Sequence, residues 1–305
     1  MHFTVAVITN SMEGFYDALA PFQENNMGTC PKEYMEFYNV EEEYLKEYEE
    51  GEDERIVTPD GRLLSQWDKE FKVVLPTNIP FSEYNYDYGK LKAGESVTHR
   101  IPEEFEKRNV PFKEIYSTFE EFMEEYHGFQ GRDEEMGAYG YWYNPDAKWD
   151  WYQLGGRWRG LLLVKEDVPH LVGGPGVFGD DLETREVPEG YKWADVAKIK
   201  DIEWDMMEQI AKERVMKDWN KVMQIEDEEE RKSQRFLHGI HDEDTKESFV
   251  ERTSRFATFA VLTPNGEWYE KEYGYNEKEW DETFFDEFIK DADPELYLAV
   301  VDCHI

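Results

Sequence analysis

The chain has 305 residues, enough for one large domain or two small ones, and 70 Asp and Glu against 34 Lys and Arg leave a formal charge of -36. That charge repels nucleic acid and anionic membranes, so neither is expected as a direct partner, whereas a protein with a basic face is. With 40% hydrophobic and 16% aromatic residues, the composition excludes general disorder and points to a ring-rich core under a charged surface.

Cys30 and Cys303 show no metal or redox spacing and are expected as free thiols in a reducing cytosol. Residues 1–8 lack a basic n-region and a long apolar run, so no signal peptide is expected. No apolar window approaches the roughly 18 residues of a membrane span.

In chain order, residues 3–9 read as a buried strand, 10–14 as a turn and 15–20 as one or two helical turns before Pro21. Residues 19–26 read as a capped turn in preference to a binding loop. Residues 31–54 read as an acidic amphipathic helix or a broken pair. Tyr34, Phe37, Tyr38, Tyr44, Leu45 and Tyr48 recur there at three- and four-residue steps, and Glu41, Glu42 and Glu43 face solvent. Thr58-Pro59-Asp60-Gly61 is a turn, and 76–112 is an irregular insertion with room for short strands. Ser117 is expected to cap a helix with Glu120 returning the bond; Phe119, Phe122, Met123 and Tyr126 share its core face and Gly128 stops it.

Residues 141–160 concentrate Trp142, Trp149, Trp151 and Trp158 with three tyrosines, a glycine pair and two arginines. No simple period accounts for this block. It reads as a turn at Asn144-Pro145, a short extended segment, a corner at Gly155-Gly156, and a strand into Leu161-Leu162-Leu163-Val164. Gly173-Gly174-Pro175-Gly176 is expected to be a flexible connection; no Lys-Ser or Lys-Thr follows, so it is no phosphate loop. Residues 194–225 read as a helix with Trp204, Met207, Ala211, Val215, Trp219 and Val222 on one stripe, and 226–247 as a polar surface segment. A strand at 256–263 turns at Pro264-Asn265-Gly266 into a hairpin. Trp280, Phe284, Phe285, Phe288 and Ile289 mark an acidic amphipathic helix, and 296–305 is an apolar strand expected to pair beside the first.

This order predicts an α+β fold, an antiparallel or mixed sheet with helices packed on one face. Its core would comprise 1–30, 113–193 and 251–305. Residues 31–112 would form an acidic helical and irregular insertion, and 194–250 a helical excursion.

Three constellations could carry chemistry. Arg157 and Arg159, one residue apart on a strand, would share a face; with Trp149, Trp151, Tyr152 and Trp158 they could grip a phosphate or carboxylate while a ring stacks on a base. The competing and preferred account is a structural knot in which Arg157 pairs with Asp150 and stacks on Trp151. Asp302 and His304 share one strand face, the minimum for acid–base work, with no nucleophile or third ligand in view. His238 and His241 lie near Asp242 and Asp244 but fit no metal template. No catalytic residue, cofactor or metal is therefore assigned. Partner contact is expected at Glu41, Glu42, Glu43, Tyr44 and Tyr48, where acidic side chains steer and rings anchor.

The motif Trp149-Asp150-Trp151-Tyr152-Gln153-Leu154-Gly155-Gly156-Arg157-Trp158, the early Leu19-Ala20-Pro21-Phe22-Gln23-Glu24-Asn25 and the ending Val300-Val301-Asp302-Cys303-His304-Ile305 together resemble a family of tailed-phage and prophage accessory proteins of largely uncharacterised activity. The resemblance covers both ends and the middle and leaves out residues 31–112 and 226–250. It implies a protein of the host cytoplasm that disarms antiviral defence by binding a defence protein, by mimicking DNA charge, or by sequestering a nucleotide signal. A charge of -36 favours the first two. The leading expectation is a non-enzymatic inhibitor of a host defence complex, acting as a homo-oligomer, with a Gabija-like nuclease–NTPase system as the analogy. A nucleotide sponge built on the aromatic and arginine block, and a small acid–base or metal-dependent enzyme, are the alternatives.

Overall fold

The computed structural model describes residues 1–76, 95–177, 182, 184–272 and 274–305. The chain divides into two compact units, one made of residues 1–36 and 143–305, the other of residues 37–142. In chain order the elements are β1 (His2–Thr9), α1 (Phe15–Leu19), β2 (Glu36–Asn39), α2 (Glu41–Glu50), β3 (Glu52–Val57), β4 (Leu63–Ser65), β5 (Lys72–Pro76), β6 (Glu95–His99), β7 (Glu106–Pro111), α3 (Phe112–Ile115) and α4 (Phe119–Glu125). There follow β8 (Gly140–Tyr143), β9 (Trp151–Gly156), β10 (Leu162–Lys165), β11 (His170–Leu171), β12 (Gly174–Pro175), β13 (Tyr191–Ala194), β14 (Val196–Lys198), α5 (Trp204–Met223), α6 (Glu228–Leu237), α7 (Lys246–Ser254), β15 (Ala260–Leu262), β16 (Trp268–Glu270), α8 (Glu277–Phe284) and β17 (Tyr297–His304).

The first unit is built on a mixed sheet, and the fold is α+β. β17 lies antiparallel along the whole of β1, from His2 opposite His304 to Thr9 opposite Tyr297. β1 pairs in parallel with β15, which returns as the hairpin strand β16. On its other edge β17 is shared: its first residues pair with β14 and its last with β9. Both central strands are continuous apolar runs because both faces are covered. On one face Ala6, Ile8, Leu298 and Val300 pack under Trp280, Phe284 and Ile289 of the α8 region and Trp204 and Met207 of α5. On the other, Val5, Val7, Val301 and Cys303 pack under Phe15 and Leu19 of α1 and under Trp149. The long helices thus sit on one face, and the short α1 with the segment around Trp149 closes the other.

The inserted unit has its own core of Val40, Phe112, Tyr116, Phe122, Met123 and Tyr139, beside a three-stranded β4–β3–β7 sheet. It reaches further along the chain than residues 31–112: the helix at 119, expected in the main core, packs here. That helix is capped one residue later than the motif suggested. Thr118 accepts from the Glu121 N–H at 3.1 Å, and Glu121 accepts from the Ser117 N–H at 2.6 Å. The expected helix over 31–54 is confined to α2. Glu36–Asn39 is a strand paired with β8, and Asn39 accepts from the Glu41 N–H at 2.9 Å to start the helix. Of the irregular segment expected at 76–112, residues 77–94 lie outside the described part; the rest carries β6 and β7.

Residues 194–203, expected to be helical, supply strand β14 and a short 3-10 turn before α5 begins at Trp204. The stripe on α5 is core as expected, but it serves two cores. Trp204 and Met207 join the sheet, whereas Val215, Trp219 and Val222 pack with Ile240 and Phe249. Among the described residues no helix is long and apolar enough to cross a membrane.

Phe284 is fully buried at the centre of the helix–sheet contact. Phe284→Ala should cost about 3–5 kcal/mol, the usual loss for a truncated core ring, read as a lower urea midpoint with unchanged slope.

Candidate functional site

The aromatic block folds as a clamp between three distant segments. Asn144 Nδ2 donates to the carbonyls of Pro21 at 2.7 Å and Gln23 at 2.9 Å. Trp149 Nε1 donates to Leu19 O at 3.0 Å from a buried position, and the Glu24 N–H donates to Trp149 O at 2.7 Å. β9 then runs antiparallel to β17 with Gln153 opposite Asp302. Residues 144–156 therefore contact both residues 19–25 and residues 300–305 directly.

The corner at Gly155-Gly156 sits where β9 and β14 abut along β17. Two buried carboxylates fill that notch. Asp195 Oδ1 accepts from the Gly160 N–H at 2.6 Å and its Oδ2 from the Gly173 N–H at 2.7 Å. Asp302 Oδ2 accepts from the Arg157 N–H at 2.9 Å. Both glycines have positive φ, 72° and 55°. A Cβ on Gly155 would stand 2.6 Å from Asp195 Oδ2, and one on Gly156 2.3 Å from Asp302 Cβ. The pair is thus required twice over, by backbone conformation and by the carboxylates packed against it. Burial pushes the Asp195 carboxyl above the ordinary range, although the peptide N–H groups and Arg159 favour its charged form. Gly174-Pro175 is no flexible connection either: it pairs in parallel with Gly155-Gly156 as β12.

This geometry splits the expected ligand-binding set. Because β9 alternates, Tyr152 packs with Trp149 at 4.8 Å between centroids on one face, while Trp151 faces the other. Trp158 joins the core under the α5–α8 face. Arg157 and Arg159 lie in a turn, not on a strand, and share no strand face. Asp150, the expected partner of Arg157, accepts from His304 Nδ1 at 2.8 Å and from Asn26 Nδ2 at 3.3 Å. The knot exists, and buried aspartates hold it.

Asp302 and His304 do share a face, and the pairing of β1 with β17 adds a residue that sequence reasoning missed. His2 lies directly across from His304, its Nδ1 donating to Asp302 Oδ1 at 2.8 Å. The two imidazoles meet edge to face at 5.0 Å, and Trp151 stacks on His304 at 5.4 Å. Two Asp–His pairs thus stand side by side: His2–Asp302, nearly closed from solvent, and His304–Asp150, partly open. Nδ1 of His304 is a donor, so its Nε2 is left to accept from the Met1 ammonium at 3.3 Å. Burial raises the Asp150 carboxyl, but bonds from His304, the Trp151 N–H and Asn26 outweigh it and hold it below the ordinary range. Cys303 points to the opposite face; burial pushes its thiol far up, so it supplies no thiolate near neutrality. The pairs can hold a proton and orient each other.

The expected partner-binding residues are largely engaged inside the inserted unit. Tyr44 stacks flat on His127 at 3.9 Å, and Tyr48 donates to Tyr116 O at 3.1 Å. Glu41 is paired with Arg132 at 2.6 Å. Only Glu42 and Glu43 remain as exposed carboxylates of that set. Asp244 forms a buried ion pair with Arg252 at 2.7 Å and also accepts from the backbone N–H of His241 at 2.8 Å. Among the described residues no three His, Cys, Asp or Glu side chains converge in a way that could hold a metal ion.

A separate feature had no signal in the sequence. A cavity of about 370 Å³ opens between α5, the turn after α8 (residues 285–290) and the end of α7 with the segment after it, lined by Trp193, Trp204, Phe256 and Phe285 and by four cationic side chains. Its residues come from five stretches of chain, which no linear spacing connects.

Two outcomes test the site. Asp195→Asn keeps the shape but offers an N–H where a second acceptor is needed, so it should destabilise by about 1–3 kcal/mol in denaturant unfolding. Asp150 has a depressed pKa when folded, so its contribution is present above the unfolded value and is lost as pH falls through the folded one. The difference in urea midpoint between wild type and His304→Ala should therefore hold steady down to about pH 4, where an unperturbed Asp begins to protonate, and shrink as the pH falls further.

Comparison with family models, with curated proteins and with solved structures returned no match.

Proposed function

We propose that this protein works by binding a basic face of a partner protein, and that in the phage setting implied by the resemblance it inhibits a host antiviral defence complex in the host cytoplasm. The observation that carries this reading is helix α6. Its first turn presents Glu228, Glu229 and Glu230, all exposed, after exposed Glu226 and Asp227. Its last turn presents Phe236 at 85% and Leu237 at 68% exposure. The helix is nonetheless anchored: Asp227 accepts from the Glu230 N–H at 2.8 Å, Arg231 donates to Ile225 O at 2.9 Å, and Arg235 donates to His241 O at 2.6 Å. An exposed aromatic–aliphatic pair on a fixed helix with an acidic approach is the arrangement expected of a hot spot steered by charge.

This moves the anchors from Tyr44 and Tyr48 to Phe236 and Leu237 and keeps the steering role of the acidic surface. A nuclease–NTPase complex of the Gabija kind, whose DNA-binding face is basic, has the chemistry that such a surface meets. Self-association would array several copies of α6 on one target.

Expression of the protein in bacteria carrying such a complex should restore plaque formation by a sensitive phage, and purified protein should shift the mass of the purified complex at low salt. Phe236→Glu should weaken that binding about tenfold or more, as loss of a hot-spot anchor does, without changing the melting temperature. Failure to rescue plaques against a panel of defence systems, with no complex formed, would sink the proposal.

A further inference from the structure

We infer that the cavity between α5, the turn after α8 and the segment after α7 is a binding site for a small aromatic anion of the mononucleotide class. The inference stands apart from the partner reading, since the cavity does not include α6.

The first observation is charge. Arg185, Arg214, Arg255 and Lys290 line a single cavity in a chain where acidic residues outnumber basic ones two to one. Of the lining acids, Asp286 is shared, 3.0 Å from Lys290 and 3.5 Å from Arg255. Glu208 is paired with Lys212 at 2.5 Å, and Asp205 is exposed on the first turn of α5. Arg214, exposed on α5, makes no hydrogen bond, ion pair or ring contact with any described residue. A guanidinium beside other cations, without a carboxylate of its own, is placed to receive a phosphate or carboxylate from outside.

The second observation is shape. Met207, Ile210, Ala211 and Arg214 follow one another on one face of α5, giving an apolar floor that ends in the free guanidinium. Trp204 stands edge-on to Phe256 at 5.3 Å and Phe285 at 5.1 Å, so the aromatic wall is held rigidly. Across the cavity the Arg185 guanidinium lies 4.1 Å from the Trp193 ring centroid and donates to Gly160 O at 2.9 Å. A flat ring system fits against the apolar floor and wall, with its anionic group towards Arg214 and Lys290. The volume, about 370 Å³, falls within the roughly 300–1,000 Å³ of small-molecule sites.

Titration calorimetry of the full chain with AMP, GMP, CMP and UMP, and with adenosine and inorganic phosphate as controls, tests the inference. At least one mononucleotide should bind once per chain, about tenfold or more tighter than adenosine or phosphate alone, because ring and anion are both recognised. Arg214→Ala should weaken that binding about tenfold while leaving the melting temperature unchanged, since the side chain has no partner to lose. Ala211→Phe should abolish it by filling the cavity; should that variant fail to fold, Arg214→Ala decides alone. No heat from any mononucleotide at millimolar concentration, or binding that Arg214→Ala leaves intact, would overturn the assignment.

Discussion

Two carboxylates buried along one strand edge organise the main unit. β17 cannot pair with a single neighbour on its outer edge, because β14 covers its first half and β9 its second. Where those neighbours meet, the ladder breaks, and peptide N–H groups of the corner and of the adjoining loop would be left without acceptors in a dry interior. Asp195 and Asp302 supply the acceptors: Gly160 and Gly173 donate to one, Arg157 to the other. The cost of burying charge is visible in the raised Asp195 carboxyl, and it is offset only because both oxygens are bonded. The glycine pair follows from this arrangement, since any side chain there would meet a carboxylate.

The same arrangement explains why the most distinctive sequence of the chain is a scaffold. The Trp149–Trp158 motif, the early Leu19–Asn25 segment and the closing residues are far apart in sequence and in contact in space. They join through the Asn144 amide, the Trp149 indole and the β9–β17 pairing. Their unusual composition reflects how many separate strands must be tied at one place. The exposed end of α6 and the cavity between α5 and residues 285–290 lie elsewhere.

The His2–Asp302 and His304–Asp150 pairs sit at the edge of this scaffold. Asp302 faces two ways at once, to the Arg157 peptide and to the His2 ring, which ties the chain's first strand to the corner. Its residue types alone invite a catalytic reading. Its geometry shows each carboxylate already committed to orienting an imidazole or a peptide group.

Much was legible in the residues themselves. β-branched and apolar runs marked β1, β15 and β17, a turn signal marked the β15–β16 hairpin, and spacing marked the α4, α5 and α8 faces, because these features depend on local periodicity and on what each face buries. The corner at Gly155-Gly156 was also visible, since a helix does not hold two adjacent glycines mid-span; the pair forms the end of β9. Tertiary structure alone decided the rest. Tyr44 and Tyr48 carry the spacing of an exposed aromatic face but are consumed by a core built largely from residues 112–139. Asp195 shows no signal in sequence, because its role is set by where two strands stop. His2 gains meaning only from the register that sets it opposite His304. The cavity cations come from separate elements, and their convergence is a property of packing that no window of sequence contains.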